Sequence, residues 1–269
     1  NRDGDAISGN SDAIILLSLN KKTKKITLVS LFRDSYTYIN TPNGERYAKI
    51  NAAYPYGGPE CLIETIENDY KIDIDYYFAV AFKSFERVID MIGGINVTVK
   101  EHEAKYIRNK AEYNCKDMPY GENVLLNGKQ ALLFARIRGS DADGDISRTR
   151  RQRDVIAALI KKSSQVSTSQ ITDLVKELAN NVVTNCPATE IIRLATQGIV
   201  KKWYSYEIVD MAVPEEKDRM AYNGDAWIWV VDYPAAAQKL QLALYGKTNI
   251  ELTENRVTAM DVVKKYKVN

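Results

Sequence analysis

Two apolar runs near the start of the chain constrain its fold most. Ala13–Leu19 reads AIILLSL and Ile26–Phe32 reads ITLVSLF, with the polar stretch Asn20-Lys21-Lys22-Thr23-Lys24-Lys25 between them. Short apolar runs rich in branched residues suit buried strands, and the basic stretch suits a hairpin that joins them.

Downstream, strand and helix signals alternate. Pro59 suits the first turn of a helix running to about Tyr70, with Leu62, Ile63 and Ile66 on one face. Tyr76–Phe82 is aromatic and β-branched, as a strand would be. Ser84 is placed to cap a helix in which Phe85, Val88, Ile89 and Ile92 share a face. Gly93-Gly94 ends that helix before a strand over Ile95–Val99. Residues 101–127 read as polar and irregular. Gly128–Arg138 reads as a helix with Leu132 and Ala135 inward, Gly139–Ile146 as a loop, and Arg148–Lys162 as a second helix. Helices over Gln170–Asn180 and Ala188–Val200 follow, then strands over Ser205–Val213 and Ala226–Val231 and a helix opened by Pro234. This mixture predicts an α/β (α+β) domain, a central mixed sheet flanked by helices.

The chain has 269 residues, a net charge of +2 and one His. That balance argues against a general nucleic-acid binder, so any basic function is local. Cys61, Cys115 and Cys186 form no CxxC pair, which argues against zinc; their odd number argues against a dense disulfide framework, with three free thiols as the expectation and one extracellular pair as the alternative. No run of apolar residues is long enough to span a membrane, and no signal peptide is visible. The chain opens on Asn1-Arg2-Asp3-Gly4 without Met, which reads as a segment cut from a longer protein with an anchor upstream.

Three places could carry chemistry. Ser11-Asp12 precedes the first apolar run, and a carboxylate at a strand edge can ligate Mg²⁺ or accept a proton. The plain alternative is a turn Asp bonded to its own backbone. Arg33-Asp34 ends the second run, where ligand groups gather in open α/β sheets. Arg33 can fork two hydrogen bonds onto a phosphate, or the pair can be a surface salt bridge. The third place is the most informative. Six arginines (Arg136, Arg138, Arg148, Arg150, Arg151, Arg153) fall within 18 residues, with Asp141, Asp143 and Asp145 interposed. Arg148 and Gln152 are four apart and share a helical face, with Arg151 close to it. Arginines in the first turns of a helix add to its positive end and make an anion site. The alternative is a solvated face whose arginines pair with those aspartates.

Asp141-Ala-Asp143-Gly-Asp145 begins like a calcium loop but has Ile146 where Gly is required and Gln152 where Glu is required. The aspartates are better read as fixing the arginines or the loop. Nucleotide-binding GxxxxGK[ST] and hydrolase GxSxG motifs are absent. His102, in Glu101-His102-Glu103, reads as an exposed surface residue.

Taken together, these segments resemble the LytR-CpsA-Psr family. The matching words are SDAIILLSLN (11–20), KKITLVSLFRDSY (24–36), KINAAY followed by GG (49–58), VIDMIGGINVTV (88–99), LNGKQALLFARIR (126–138) and DGDISRTRRQR (143–153). The resemblance implies a single domain of that type, with residues 1–165 as catalytic core and 166–269 completing it. It implies a Mg²⁺-dependent phosphotransferase that moves a phosphorylated glycopolymer, such as wall teichoic acid or capsule, from a polyprenyl pyrophosphate carrier to peptidoglycan. The implied location is the extracellular face of the cytoplasmic membrane of a Gram-positive bacterium, held by an N-terminal helix.

By motif position, Asp12 would ligate the metal, and Arg33, Arg136, Arg148 and Gln152 would hold the pyrophosphate with Arg138 and Asp34 in support. Arg33, Asp12 and Arg148 are then the catalytic candidates. A lipid carrier needs an apolar path, for which Phe82, Phe85, Val88, Ile89 and Phe134 are the candidates. Two departures stand out: Asn10 occupies a position that is often Arg in the family, and the family's other metal-binding Asp would fall immediately before Asn1 and so reads as cut away, with Asp3 and Asp5 fitting its place poorly. Two rivals are a hydrolase of the same lipid-linked glycan and a non-catalytic module that binds polyanions or lipid phosphates.

Overall fold

The computed structural model describes residues 9–215, 219–222 and 226–246. Asp3 and Asp5 lie outside that range. In chain order the elements begin with strands β1 (Ile14–Asn20), β2 (Lys25–Leu31), β3 (Tyr36–Thr41) and β4 (Gly44–Lys49). Helix α1 (Ala53–Tyr70), strand β5 (Phe78–Val80), helix α2 (Phe82–Met91), strand β6 (Ile95–Val99), helix α3 (Glu101–Asn109) and strand β7 (Gly121–Leu126) follow. Then come α4 (Gly128–Arg136), α5 (Asp145–Lys162), α6 (Thr168–Asn181), β8 (Val182–Thr184) and α7 (Ala188–Val200). The described chain closes with β9 (Glu207–Val213), β10 (Arg219–Tyr222), β11 (Trp227–Val230) and α8 (Tyr233–Tyr245). The α/β class expected from the sequence is the observed one.

Two compact units share these elements: residues 9–75 with 209–246, and residues 76–208. The first holds a three-stranded sheet in the order β1-β2-β9. β1 and β2 pair antiparallel from Ile14 opposite Leu31 to Asn20 opposite Lys25. The basic stretch is their turn: Asn20 Oδ1 accepts the amides of Lys22 and Thr23 at 3.1 and 3.0 Å. Both runs are strands, but only β2 is deeply buried, because it is the middle strand. β1 is an edge strand whose Leu17 is 54% exposed.

In the same unit, the helix expected from Pro59 is the second limb of α1. Gly58, at φ 75°, breaks the helix just before it. Proline lacks the amide that a first helical turn does not use, so the new limb starts there. It buries Cys61, Thr65, Ile66, Asp69 and Tyr70, while Leu62 and Ile63 stay half-buried. Thr37 of β3 donates to both carboxylate oxygens of Asp69 at 2.9 and 2.7 Å. The buried Tyr233 hydroxyl of α8 donates to the Tyr36 carbonyl at 3.1 Å.

The second unit is built on one core, which includes Ile89, Ile95, Val97, Ile107, Leu126, Leu133, Phe134 and Val155. α4 starts with a capping box. Asn127 Oδ1 accepts the Gln130 amide at 2.9 Å, and Gln130 Oε1 accepts the Asn127 amide at 3.1 Å. Gly128, its first residue, touches α2: a β-carbon there would sit 2.1 Å from the Glu86 carbonyl oxygen.

Three sequence expectations need correction. Ser84 does not cap α2; Ala81 holds that position, and Ser84 is buried inside the helix, donating to the Asn181 carbonyl at 3.2 Å. Tyr76–Phe82 is a strand only over Phe78–Val80, and Phe78 is 47% exposed. The polar stretch 101–127 contains α3 and β7. The signal for α3 was hidden because its inward face is short, with only Glu103, Ala104 and Ile107 buried.

Two outcomes are expected. Gly128→Ala forces α2 and α4 apart and should lower stability by about 1–3 kcal/mol in denaturant titration. Burial raises the Asp69 carboxyl from its ordinary value to about 8, against the opposing hydrogen bond from Thr37. Folding therefore favours its neutral form, and the unfolded chain gives up this proton from near pH 4. Relative to Asp69→Asn, wild-type stability should fall as pH rises from about 4 to about 8, by up to about 1.4 kcal/mol per pH unit, then level off. Equal pH slopes for the two proteins would contradict this.

Candidate phosphate-binding site

In the first unit, β2 ends in a tight turn. Phe32 donates its amide to the Val213 carbonyl at 2.8 Å, and the Ser35 amide returns to the Phe32 carbonyl at 2.9 Å. The Arg33 and Asp34 carbonyls are held too, by the amides of Asn51 at 3.2 Å and Trp229 at 2.9 Å. The Phe32 ring packs on Trp229 at 5.2 Å between centroids. With its backbone fixed on both sides, this turn presents two side chains in set directions.

The Arg33 guanidinium meets Asp12 Oδ1 at 3.0 Å through Nη1, and Asp34 Oδ2 at 3.4 Å through Nε. Lys49, the last residue of β4, reaches Asp34 Oδ1 at 2.6 Å. Asp12, Arg33 and Asp34 are thus brought together as the sequence suggested. Lys49 was missed as a charged partner although it opens the quoted word KINAAY. Only the β3–β4 hairpin returns it to Asp34, and no spacing rule signals that.

In the second unit, Arg136 is the last residue of α4, and its guanidinium lies 4.3 Å from the ring centroid of Phe82. This is cation–π range. Arg138 follows, half-exposed, with Nε 3.8 Å from Asp145 Oδ1. Asp145 opens α5, one turn before Arg148. Arg148 is buried, and its Nη2 donates to Asp145 Oδ2 at 3.1 Å. Gln152, one turn further on, is half-buried. The aspartates do fix the arginine-rich segment: Asp145 lies between Arg138 and Arg148, and Asp143 accepts from Ser147 at 2.6 Å. Arg151 is a different case, fully buried and engaged with α3.

The apolar candidates lie in α2 and α4. Ile89 and Phe134 belong to the core of the second unit, and Phe85 packs against that core. Phe82 and Val88 are half-buried. Contact between Phe82 and Arg136 puts the apolar and cationic candidates side by side.

For a metal ion, Asp12 offers a carboxylate that is 44% exposed and held on one oxygen by Arg33. Mg²⁺ is commonly bound by one or two carboxylates together with substrate phosphate oxygens, so Asp12 fits as part of such a set. Among the described residues, His102, Glu103 and Asp141 form a group close enough to share an ion. Their carboxylates already face the Arg151 guanidinium, which supplies the positive charge there. His102 is exposed, as expected, with Nε2 3.0 Å from Asp141 Oδ1. The three cysteines are free and buried, and burial raises each thiol's pKa.

Arg33 at a strand exit and Arg148 at a helix start each face a carboxylate within its own unit of an α/β fold. The chain belongs to the LytR_cpsA_psr family, whose model matches residues 1–243. It is 36% identical over 186 residues to the polyisoprenyl-teichoic acid–peptidoglycan teichoic acid transferase TagU of Bacillus licheniformis, covering 68% of this chain. The match covers 56% of that relative's length. Among solved structures, protein gbs0355 from Streptococcus agalactiae is similar at TM-score 0.77 and 28% identity, covering 96% of this chain and 88% of that one. TagT of B. subtilis is another: its form bound to LI-WTA is similar at TM-score 0.70 and 26% identity, covering 90% of this chain and 87% of that one.

Lys49 should behave as part of the charged set around Arg33. Lys49→Ala is expected to cost less than about 1 kcal/mol of stability, since the pair is partly exposed. It should still weaken binding of inorganic pyrophosphate in titration calorimetry. Unchanged affinity would remove Lys49 from the set.

Proposed function

We propose that this chain is a transferase domain that moves a phosphorylated glycopolymer from a polyprenyl pyrophosphate carrier to peptidoglycan. The observation that carries the reading is Arg148, a buried guanidinium in the opening turns of α5 that shares Asp145 with Arg138. Desolvated guanidinium groups at a helix start bind phosphate oxygens strongly and with fixed geometry. The names of the relatives, teichoic acid transferases, agree with it.

Arg33 in the first unit, and Arg136, Arg138, Arg148 and Gln152 in the second, bind phosphate oxygens in this reading. A hydroxyl of the acceptor glycan attacks the phosphorus next to the carried polymer. A P–O bond to the glycopolymer's new partner forms, the pyrophosphate P–O bond breaks, and polyprenyl phosphate leaves with the bonding pair while the hydroxyl proton passes to solvent. The arginines stabilise the charge that builds on the phosphoryl oxygens and the leaving phosphate. Asp12 would hold Mg²⁺ together with the substrate phosphate, and the ion would supply further charge neutralisation there. Phe82, Phe85 and Val88, backed by Ile89 and Phe134, offer the prenyl chain an apolar surface beside Arg136. Among the described residues no helix is long and apolar enough to cross a membrane. In this reading the domain works at the outer face of the cytoplasmic membrane, where carrier and peptidoglycan meet.

The test is product analysis with a lipid-linked donor, with and without peptidoglycan. Polymer joined to peptidoglycan is expected, and EDTA should suppress it. Arg33→Ala and Arg148→Ala should each lower turnover by on the order of 10²-fold or more. Free phosphorylated glycan formed at the same rate without acceptor would instead indicate a hydrolase. Loss of only a modest, salt-sensitive increment of binding would indicate a general polyanion binder.

A further inference from the structure

Arg151 lies in the arginine-rich segment but does not face solvent. It is 1% exposed, and its partner Glu103 is 2% exposed. Arg151 Nε donates to Glu103 Oε1 at 2.8 Å, Nη1 to the Ile137 carbonyl at 3.0 Å, and Nη2 to Ser140 Oγ at 2.8 Å. Nη2 also contacts Asp141 Oδ2. Glu103 in turn is fixed in α3, where its Oε2 accepts the Lys100 amide at 2.8 Å. One guanidinium therefore ties three points of the segment between α4 and α5 to a carboxylate of α3.

Two observations independent of Arg151 place the same segment against α3. A β-carbon on Gly139 would sit 2.8 Å from the Tyr106 hydroxyl oxygen, so the backbone passes closely over that ring. His102 Nε2 lies 3.0 Å from Asp141 Oδ1. The segment is short and carries Arg138. Arg136 stands at one end of it and Arg148 just past the other. Where it is held sets the distances among these side chains.

We propose that Arg151 is a positioning residue: with Glu103 it fastens residues 137–141 onto α3 and thereby sets the spacing of Arg136 and Arg138 relative to Arg148. The assignment rests on the phosphate-binding reading above. Its fastening half can be tested without that reading.

Arg151→Lys is the informative variant. It keeps a positive charge for the buried Glu103 but cannot fork to Ile137, Ser140 and Asp141 together. In the full chain, amide hydrogen exchange over residues 138–144 should become at least ten-fold faster, with helical circular dichroism unchanged. The dissociation constant for inorganic pyrophosphate should rise at least ten-fold. Ile107→Val, a core change in the same unit, should lower the melting temperature without that loss of affinity.

Unchanged exchange over 138–144 would overturn the fastening. Faster exchange with wild-type affinity, or an equal loss of affinity in Ile107→Val, would overturn the positioning role. If Arg151→Lys does not fold, Ser140→Ala with Asp141→Asn weakens the two side-chain links to the segment, leaving the Ile137 carbonyl link and the Arg151–Glu103 pair, and the same outcomes apply. Arg148→Ala measured in parallel keeps the two readings apart. Wild-type affinity in Arg148→Ala would sink the phosphate reading, while exchange in Arg151→Lys still decides the fastening.

Discussion

A guanidinium taken out of water must have its charge and its N–H groups satisfied. The second unit depends on one that does. Arg151 has a carboxylate, a carbonyl and a hydroxyl around it, and Glu103 shares its other oxygen with a helix-start amide. Breaking a buried pair of this kind commonly costs about 3–5 kcal/mol, because the survivor is left charged and dry. The network thus makes any other placement of the α4–α5 segment expensive. A flexible link becomes a defined support for the arginines at both of its ends.

Carboxylates temper the remaining arginines. Arg33 faces Asp12 and Asp34, and Arg148 faces Asp145, which also lies near Arg138. Like-charged side chains gathered without a ligand repel one another, and an interposed carboxylate relieves that repulsion. A doubly charged phosphate competes well for such a guanidinium, whereas a neutral sugar does not.

Much of this was legible beforehand, for local reasons. The β1–β2 hairpin follows from two apolar runs and an Asn-led turn. The second limb of α1 follows from Pro59, and the span of α7 from periodicity. The link between the interposed aspartates and the arginines also followed from the sequence. α3 was missed because a helix whose buried face is Glu103, Ala104 and Ile107 carries too little hydrophobic periodicity. Ser84 was misplaced because a serine ahead of an apolar stripe looks like a cap, whereas burial against the Asn181 carbonyl satisfies it inside the helix.

The sequence by itself determined the α/β class, the family, and the residue types available for phosphate, since these depend on local pattern and on ordered motifs. It also determined that Arg148 and Gln152 share a helical face, because helical geometry is set by spacing. Tertiary structure decided which arginine of the segment is a fastener. Arg150, Arg151 and Arg153 are alike as letters, but Arg150 approaches Glu103, forty-eight positions before Arg151, only to 4.0 Å from a half-exposed position, whereas Arg151 hydrogen-bonds it at 2.8 Å with its guanidinium wholly buried. Lys49 became a partner of Asp34 in the same way, through the return of a hairpin. Burial and long-range pairing depend on how the chain comes back on itself, and that lies beyond what spacing along the chain can express.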